Sequence, residues 1–161
     1  MSNPGELVDD LVDNLVAALQ DIPDLVAALG ADASRIFAYR DSYPTKVSLA
    51  HAIHTMPAPG CMAVWQGTGP GSFGGMDVWK HQITLFLRVG ESAPVGRNPY
   101  SALFRLIAKG VGTKAAGVPM INLTVHTSCY PMDLPETHRQ TDAEGLDYFE
   151  MPLSFTEIGD D

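Results

Sequence analysis

The segment 78–89 constrains the fold more than any other part of the sequence, because apolar and polar residues largely alternate along it. One face of such a strand carries Trp79, Ile83, Leu85, Leu87 and Val89, and the other carries Lys80, Gln82, Thr84 and Arg88. A period of two is typical of an antiparallel strand with one buried face. The sequence therefore predicts a half-buried β-strand with at least one strand neighbour.

Other segments predict the remaining strands and their connections. Shorter apolar runs predict strands over 35–39, 61–66, 121–129 and 146–158. Pro152 cannot donate a hydrogen bond within a sheet, so we expect the last strand to lie at an edge or to be bulged there. The glycine-rich segment 67–75 predicts a long flexible loop, and 131–145 predicts a polar connection.

Helical periodicity appears in four places. Asn3 and Pro4 predict the start of a helix whose apolar stripe is formed by Val8, Leu11, Val12, Leu15 and Leu19. Shorter helices are expected over 24–29 and 48–56, and a longer one from Pro99 that carries Leu103 and Ile107. These elements together predict an α+β fold, a small antiparallel or mixed sheet with helices packed on one face, in which residues 1–161 form one domain.

The charge balance argues against several classes of partner. The chain has 10 basic and 19 acidic residues, a net charge of −9, which opposes attraction to DNA or to an anionic membrane surface. Its N-terminus lacks the basic and apolar regions of a signal peptide, and no apolar run reaches the roughly 20 residues that span a bilayer. We therefore expect no membrane partner. Cys61 and Cys129 lie in apolar runs and are interpreted as buried thiols.

No motif in the sequence indicates a cofactor or a catalytic centre. Gly69-x-Gly71-x-x-Gly74 matches the dinucleotide motif by letter, but a strand is predicted after it, where that motif requires a helix. His51 and His54 lie three residues apart and share a helix face, but a metal site needs further ligands. We expect no cofactor, no metal and no enzymatic activity.

One alternative interpretation gives His51 and His54 a functional role. A small hydrolase or ligand-binding module would need His51 and His54 to converge with the acidic segment of Asp133, Glu136, Asp142 and Glu144 in a concave pocket. Without such a pocket, the carboxylates are a solvated surface.

The order of elements resembles that of the tail terminator proteins of long, non-contractile-tailed phages. After an N-terminal amphipathic helix, a strand and a short helix comes a hairpin, with Ala58-Pro-Gly-Cys-Met-Ala-Val-Trp-Gln-Gly leading to Trp79-Lys-His-Gln-Ile-Thr-Leu-Phe-Leu-Arg-Val. A helix and two strands follow, the last being Leu146-Asp-Tyr-Phe-Glu-Met-Pro-Leu-Ser-Phe-Thr-Glu-Ile. The resemblance covers nearly the whole chain as an order of elements, without a sharp motif.

This resemblance implies a structural virion protein without catalytic residues. Such a protein forms a ring, usually a hexamer, that caps the head-proximal end of the tail tube, ends tail polymerisation and joins the neck. Its partners would be copies of itself, the tail-tube protein and a neck or head-completion protein, and DNA would pass through the lumen without specific binding. Another head–tail connector or a tail-tube protein is the close alternative.

The residues expected at an interface are mostly aromatic. Phe73 lies in the middle of the glycine-rich segment, and the two tryptophans flank that segment. Aromatic anchors contribute much of the binding energy of protein interfaces. The predicted interface residues are Trp65, Gly71, Phe73, Trp79, Tyr148 and Glu150.

Overall fold

The computed structural model of the chain describes residues 4–39, 48–88, 103, 106–107, 121–122, 127–131, 138–141, 144–145 and 147–159. The helices with defined bounds are α1 (Pro4–Gln20), α2 (Pro23–Ala28) and α3 (Leu49–Thr55). The strands are β1 (Ile36–Ala38), β2 (Gly60–Phe73), β3 (Met76–Arg88), β4 (Ile121–Asn122), β5 (Thr127–Pro131), β6 (His138–Thr141) and β7 (Asp147–Gly159).

All seven strands belong to one mixed sheet, which confirms the predicted α+β class. The strand order is β1-β2-β3-β7-β5-β4. β6 also pairs with β7, along a different part of that strand from β5. Only the β1–β2 pairing is parallel among the described strands; the other pairings are antiparallel. The two longest pairings, β2–β3 and β3–β7, place β3 at the centre of the sheet.

Two apolar clusters cover opposite faces of this sheet. The larger cluster joins the stripe of α1 and Leu25 of α2 to Ile83, Leu85 and Leu87 of β3. The smaller cluster joins Ile53 of α3 to the strand residues Met62, Val64 and Phe86. The sequence predicted that the helices pack on one face of the sheet. This holds for α1 and α2, whereas α3 packs on the opposite face.

The inner part of β3 is buried on both faces, so the prediction of a half-buried strand was wrong for residues 83–88. All six of these residues are buried. The polar-face residue Thr84 is buried together with Arg88, whose Nη1 donates to the carbonyl of His54 over 2.9 Å. The alternation predicted the strand correctly, but it could not reveal that α3 would cover the second face.

The glycine-rich segment is not the long loop that the sequence predicted. β2 and β3 stay paired out to Phe73 and Met76, and only Gly74 and Gly75 form the turn. Their φ angles of 59° and 83° are left-handed, as two-residue hairpin turns require. Because glycine, proline and serine carry no strand periodicity, the sequence concealed the outer part of the hairpin.

The structure also differs from two predictions, a single strand over 121–129 and a connection without strands over 131–145. Residues 121–129 contribute two strands, because Ile121 of β4 pairs with Cys129 of β5. The polar connection 131–145 contains β6, which pairs His138 with Glu150 of β7. A hairpin places directly paired residues on the same face, so alternation alone does not distinguish it from one continuous strand.

The last strand lies inside the sheet, so its predicted place at an edge was wrong. β7 pairs with β3 on one side and with β5 and β6 on the other. In the described part, β6 pairs as far as Glu150 of β7, and β5 ends with Pro131 opposite Phe155. Pro152 pairs with Thr84 of β3, and no described residue pairs with it on the side of β5 and β6.

The predicted helices and cysteine environment agree with the structure where residues are described. Leu11, Val12, Leu15 and Leu19 are buried along α1, and the helical residues Leu103 and Ile107 are buried in the larger cluster. Cys61 is a buried free thiol, and burial raises its pKa to about 12. The expected cap Asn3, residues Pro99 and Val89, and the side chain of Cys129 lie outside the described part.

Candidate functional site

A β-bulge at Gln66 divides the β2–β3 hairpin into two halves. The register shifts between Trp65, which pairs with Ile83, and Gly67, which pairs with Gln82. We call residues 60–65 with 83–88 the inner hairpin, and residues 67–73 with 76–82 the outer hairpin. Neither apolar cluster includes a residue of the outer hairpin.

Three side chains form a hydrogen-bonded chain across the bulge. The indole Nε1 of Trp65 donates to Thr68 Oγ1 over 2.9 Å, and Thr68 Oγ1 lies 2.7 Å from His81 Nδ1. His81 is fully buried, and this burial lowers its pKa because desolvation penalises the charged imidazolium. In the neutral tautomer that carries its proton at Nε2, Nδ1 accepts from the Thr68 hydroxyl, and in the other tautomer Nδ1 donates to it. This hydrogen-bonded chain holds the side chain of Trp65 in one orientation, although 46% of the residue's surface is exposed.

On one face of the outer hairpin, the β2 strand presents only backbone. Gly67, Gly69 and Gly71 alternate along β2, and a methyl group built on Gly67 or Gly69 would meet no atom within 4 Å. At Gly71, such a methyl group would lie 2.7 Å from Cε of Lys80, whose side chain crosses the bare backbone. Glycines in a strand often mark places where another backbone or a ligand approaches closely.

In the described part, the edge of β2 beyond Ala63 has no strand partner, and two features of this edge disfavour addition of a strand. β1 covers only Cys61, Met62 and Ala63 of this edge, so in the described part residues 64–73 pair with β3 alone. The bulge at Gln66 distorts this edge, and Pro70 has no N–H to donate. We infer that a partner would contact this edge through side chains and bare backbone.

The structure separates the predicted interface residues into two groups. Trp65, Gly71, Phe73 and Trp79 lie on the β2–β3 hairpin. Trp79 is half-buried, and its indole N–H is buried without an acceptor among the described residues. The side chain of Phe73 lies outside the described part.

The second group, Tyr148 and Glu150, lies on β7 near the inner end of the hairpin, because Glu150 pairs with Phe86. Both residues are half-buried. The ring of Tyr148 contacts that of Phe86, with a centroid distance of 5.9 Å. These two residues therefore lie on the side of the molecule where α3 packs.

A cavity of about 600 Å³ lies between α3 and the β6–β7 hairpin. Its described lining residues come from α3 (Leu49, Ala50, His51, Ile53 and His54) and from the β6–β7 hairpin (Thr141, Glu144 and Tyr148). Its size is typical of small-molecule sites. We call it the α3 cavity.

Local hydrogen bonds position the walls of the α3 cavity. Ser48 caps α3 by accepting from the backbone N–H of His51 over 3.2 Å, which sets where the helix begins. On the opposite wall, Thr141 Oγ1 donates to Asp147 Oδ1 over 2.9 Å and closes the β6–β7 hairpin.

One polar contact joins the two walls of the cavity. His54 Nε2 lies 3.0 Å from Glu144 Oε2, close enough for an ion pair when the imidazole is protonated. The two histidines and one acidic residue of the predicted pocket thus line one cavity, as the ligand-binding alternative requires. Asp133, Glu136 and Asp142 lie outside the described residues, so their part of that prediction stays untested.

Sequence reasoning missed two residues of these sites. Thr68 lies in the segment interpreted as a loop, and Thr141 lies in the segment interpreted as a polar connection. A threonine has no signal of its own in such segments, because its role depends on a partner far along the chain. His81 lies on the same face of β3 as Ile83, and it is buried and in contact with Thr68.

Among the described residues, no group of three or more His, Cys, Asp or Glu side chains is arranged to hold a metal ion. The described helices include none with the length and apolar character needed to traverse a bilayer. No protein-family model matches the chain, and no curated protein matches it significantly.

Proposed function

We propose that this protein is a structural subunit of a phage tail that assembles into a ring, in the manner of tail terminators. The ring would cap the head-proximal end of the tail tube and join it to the neck, with DNA passing through its lumen. The order of elements that resembles this family motivates the proposal. The observation that carries it is the outer hairpin, which extends beyond both apolar clusters.

The physical argument concerns how the outer hairpin is stabilised. A two-stranded hairpin alone is at best marginally stable in water. In the described part, residues 71–73 and 76–78 have only each other as strand neighbours. Contact with a neighbouring subunit would bury the exposed residues Ser72, Met76 and Asp77 of this part of the hairpin and would stabilise it.

Trp65 is the anchor that we expect in this contact. It is a large exposed aromatic residue held in place by Thr68, so little conformational entropy is lost when a partner covers it. The net charge of −9 suits a lumen that must let DNA slide, because an acidic wall repels phosphates.

Native mass spectrometry of the full chain over a range of concentrations tests the proposal. A discrete ring, most simply a hexamer, is the expected result, whereas open-ended polymers would instead indicate a tube protein. A monomer at every concentration, also in the presence of the tail-tube and neck proteins, would contradict assembly.

Substitutions locate the contact. Trp65→Ala should shift the ring toward monomers while it lowers the free energy of unfolding by about 1 kcal/mol or less, and Phe73→Ala should act in the same sense. Trp65→Phe is the matched control, because it keeps an aromatic ring although it removes the indole N–H that donates to Thr68. If Trp65→Ala weakens the fold and the assembly to the same extent, Trp65 is a folding residue and not an anchor.

A second candidate function is favoured by one specific observation. His51, His54 and Glu144, which lie on separate elements, line a single cavity of about 600 Å³. This arrangement supports a small ligand-binding module, an interpretation that can hold whether or not the chain forms a ring. Titration with small ligands, read out at the residues of the α3 cavity, tests it directly.

A further inference from the structure

We propose that Trp65 of one copy of this chain packs on the backbone of Gly67 and Gly69 of a second copy, next to the Lys80 side chain of that second copy. The inference rests on the proposed ring and deepens it, because it names the contact between neighbouring subunits. We call the backbone of Gly67 and Gly69 the glycine strip. The argument uses the β-bulge, the exposure of the two surfaces and the position of Lys80.

The β-bulge at Gln66 places Trp65 and the glycine strip on opposite faces of the hairpin. Trp65 pairs with Ile83, so both side chains lie on the face of the larger apolar cluster. Gly67 pairs with Gln82, the neighbour of Ile83 in β3, and successive residues of a strand point to opposite faces. In a regular strand Trp65 and Gly67 would share a face, but the extra residue of the bulge separates them.

Both surfaces are accessible in the single chain. Trp65 is 46% exposed, and the hydrogen bond from its indole N–H to Thr68 holds the ring in place. Gly67 and Gly69 are half-buried, and a methyl group built on either would meet no atom within 4 Å. An incoming ring can therefore lie against the glycine strip without displacing its surroundings.

The two surfaces have complementary chemistry. A flat indole approaches peptide groups closely where no Cβ intervenes, which is what glycines in a strand provide. Lys80 pairs with Gly69 and lies on the same face, and its Cε would be 2.7 Å from a methyl group built on Gly71. The Lys80 side chain therefore runs along the strip, and an ammonium beside an indole adds a cation–π attraction.

A second copy is the occupant because each copy carries both surfaces, on opposite faces of one hairpin. One copy can place its Trp65 on the glycine strip of one neighbour and receive the Trp65 of the other neighbour. Contacts between two different surfaces generate a closed ring when the rotation between copies closes. This is the kind of interface that the proposed ring requires, whereas a contact between identical surfaces would stop at a dimer.

A mixture of two variants tests this pairing by native mass spectrometry. Trp65→Ala removes the ring, and Gly69→Val fills the strip with a rigid side chain for which the single chain has space and which favours a strand. Each variant alone should be mainly monomeric under conditions in which the original chain forms a ring. Equal amounts of both should form a heterodimer, because the strip of Trp65→Ala meets the indole of Gly69→Val while both outer surfaces are blocked.

The heterodimer also tests Lys80. Lys80→Gln added to the Trp65→Ala chain, whose strip is in use, should raise the dissociation constant about twofold to fivefold, the size of an exposed cation–π contact. The same substitution in the Gly69→Val chain, whose strip is not in use, should change nothing. An equal effect in either chain would remove Lys80 from the contact.

Two controls exclude loss of the fold and nonspecific effects. Thermal unfolding checks that each variant is folded, and Gly67→Val replaces Gly69→Val if the latter is not, because a methyl group on Gly67 also meets no atom within 4 Å. Gln140→Val adds a valine at an exposed strand position of β6 and should leave the ring intact.

Contrary outcomes separate this inference from the ring proposal. If the original chain forms a ring and either variant forms the same ring, or if the mixture stays monomeric, the pairing of Trp65 with the glycine strip is wrong and the ring proposal stands. If the original chain stays monomeric at every concentration, also with the tail-tube and neck proteins, both are wrong.

Discussion

The two halves of the β2–β3 hairpin have the same strand pairing but different surroundings. The inner hairpin is covered by α1 and α2 on one face and by α3 on the other, so all residues of β3 from Ile83 to Arg88 are buried. The outer hairpin has glycines along one face and an exposed turn, although Val78 and His81 within it are buried. The difference indicates that the inner hairpin stabilises the fold, and that the outer hairpin is available for contact.

The largest expected effect comes from removing a core side chain of the inner hairpin. Leu85 is fully buried in the larger apolar cluster, so Leu85→Ala should lower the free energy of unfolding by about 2–5 kcal/mol, the range for such cavities. Urea denaturation measures this loss.

The matched control lies on the outer part of the same strand. Met76 is 51% exposed, and Met76→Ala should change stability by no more than about 0.5 kcal/mol in the unassembled chain. Similar losses at the two positions would remove the distinction between the two halves.

Glycines at the two ends of β2 provide the next comparison. A methyl group on Gly60 would collide with the backbone carbonyl oxygen of Pro57, which cannot move without displacing the chain. A methyl group on Gly71 would meet only the flexible side chain of Lys80. We expect Gly60→Ala to cost about 2 kcal/mol and Gly71→Ala less than about 1 kcal/mol, as measured by thermal unfolding. The reverse order would show that the outer hairpin is the more tightly packed half.

The buried histidine beyond the bulge predicts a dependence on pH. Burial lowers the pKa of His81 below its ordinary 6.5, so below pH 6.5 the unfolded chain binds a proton that the folded chain does not. The contribution of His81 therefore makes the protein less stable as the pH falls below 6.5 and is constant above it. One proton limits the slope to about 1.4 kcal/mol per pH unit.

The measurement is the free energy of unfolding from about pH 7.5 to about pH 5, compared between variants. His81→Asn keeps an acceptor for Thr68 and should reduce the slope, whereas His51→Asn, at an exposed position of α3, should retain it. An unchanged slope in His81→Asn would mean that the imidazole is not shielded from solvent.

The smallest expected effect concerns a polar contact of the outer hairpin. Gln82 Nε2 donates to Ser154 Oγ over 3.2 Å, and the bond is exposed to water. Gln82→Ala should therefore change stability by less than about 0.5 kcal/mol in the same denaturation assay. A loss above 1 kcal/mol, by the same scale, would place Gln82 in the packed part of the sheet.

The sequence by itself determined the elements whose burial pattern is regular. The stripe of α1 predicted its buried face, and the alternation of residues 78–89 predicted the central strand. Such patterns depend only on which side of one element meets the core, so they can be read locally. The expected ring, its partners and its place in a virion come from resemblance and stay predictions.

Only the tertiary structure decided the features that depend on residues far apart in the chain. The pairing partner of β2 keeps residues 67–73 extended despite their composition, and β5 and β6 place β7 inside the sheet despite Pro152. Likewise, His54 and Glu144 meet across a cavity although 90 positions separate them. Strand register and such contacts are set by packing between elements, and no local pattern in the sequence encodes them.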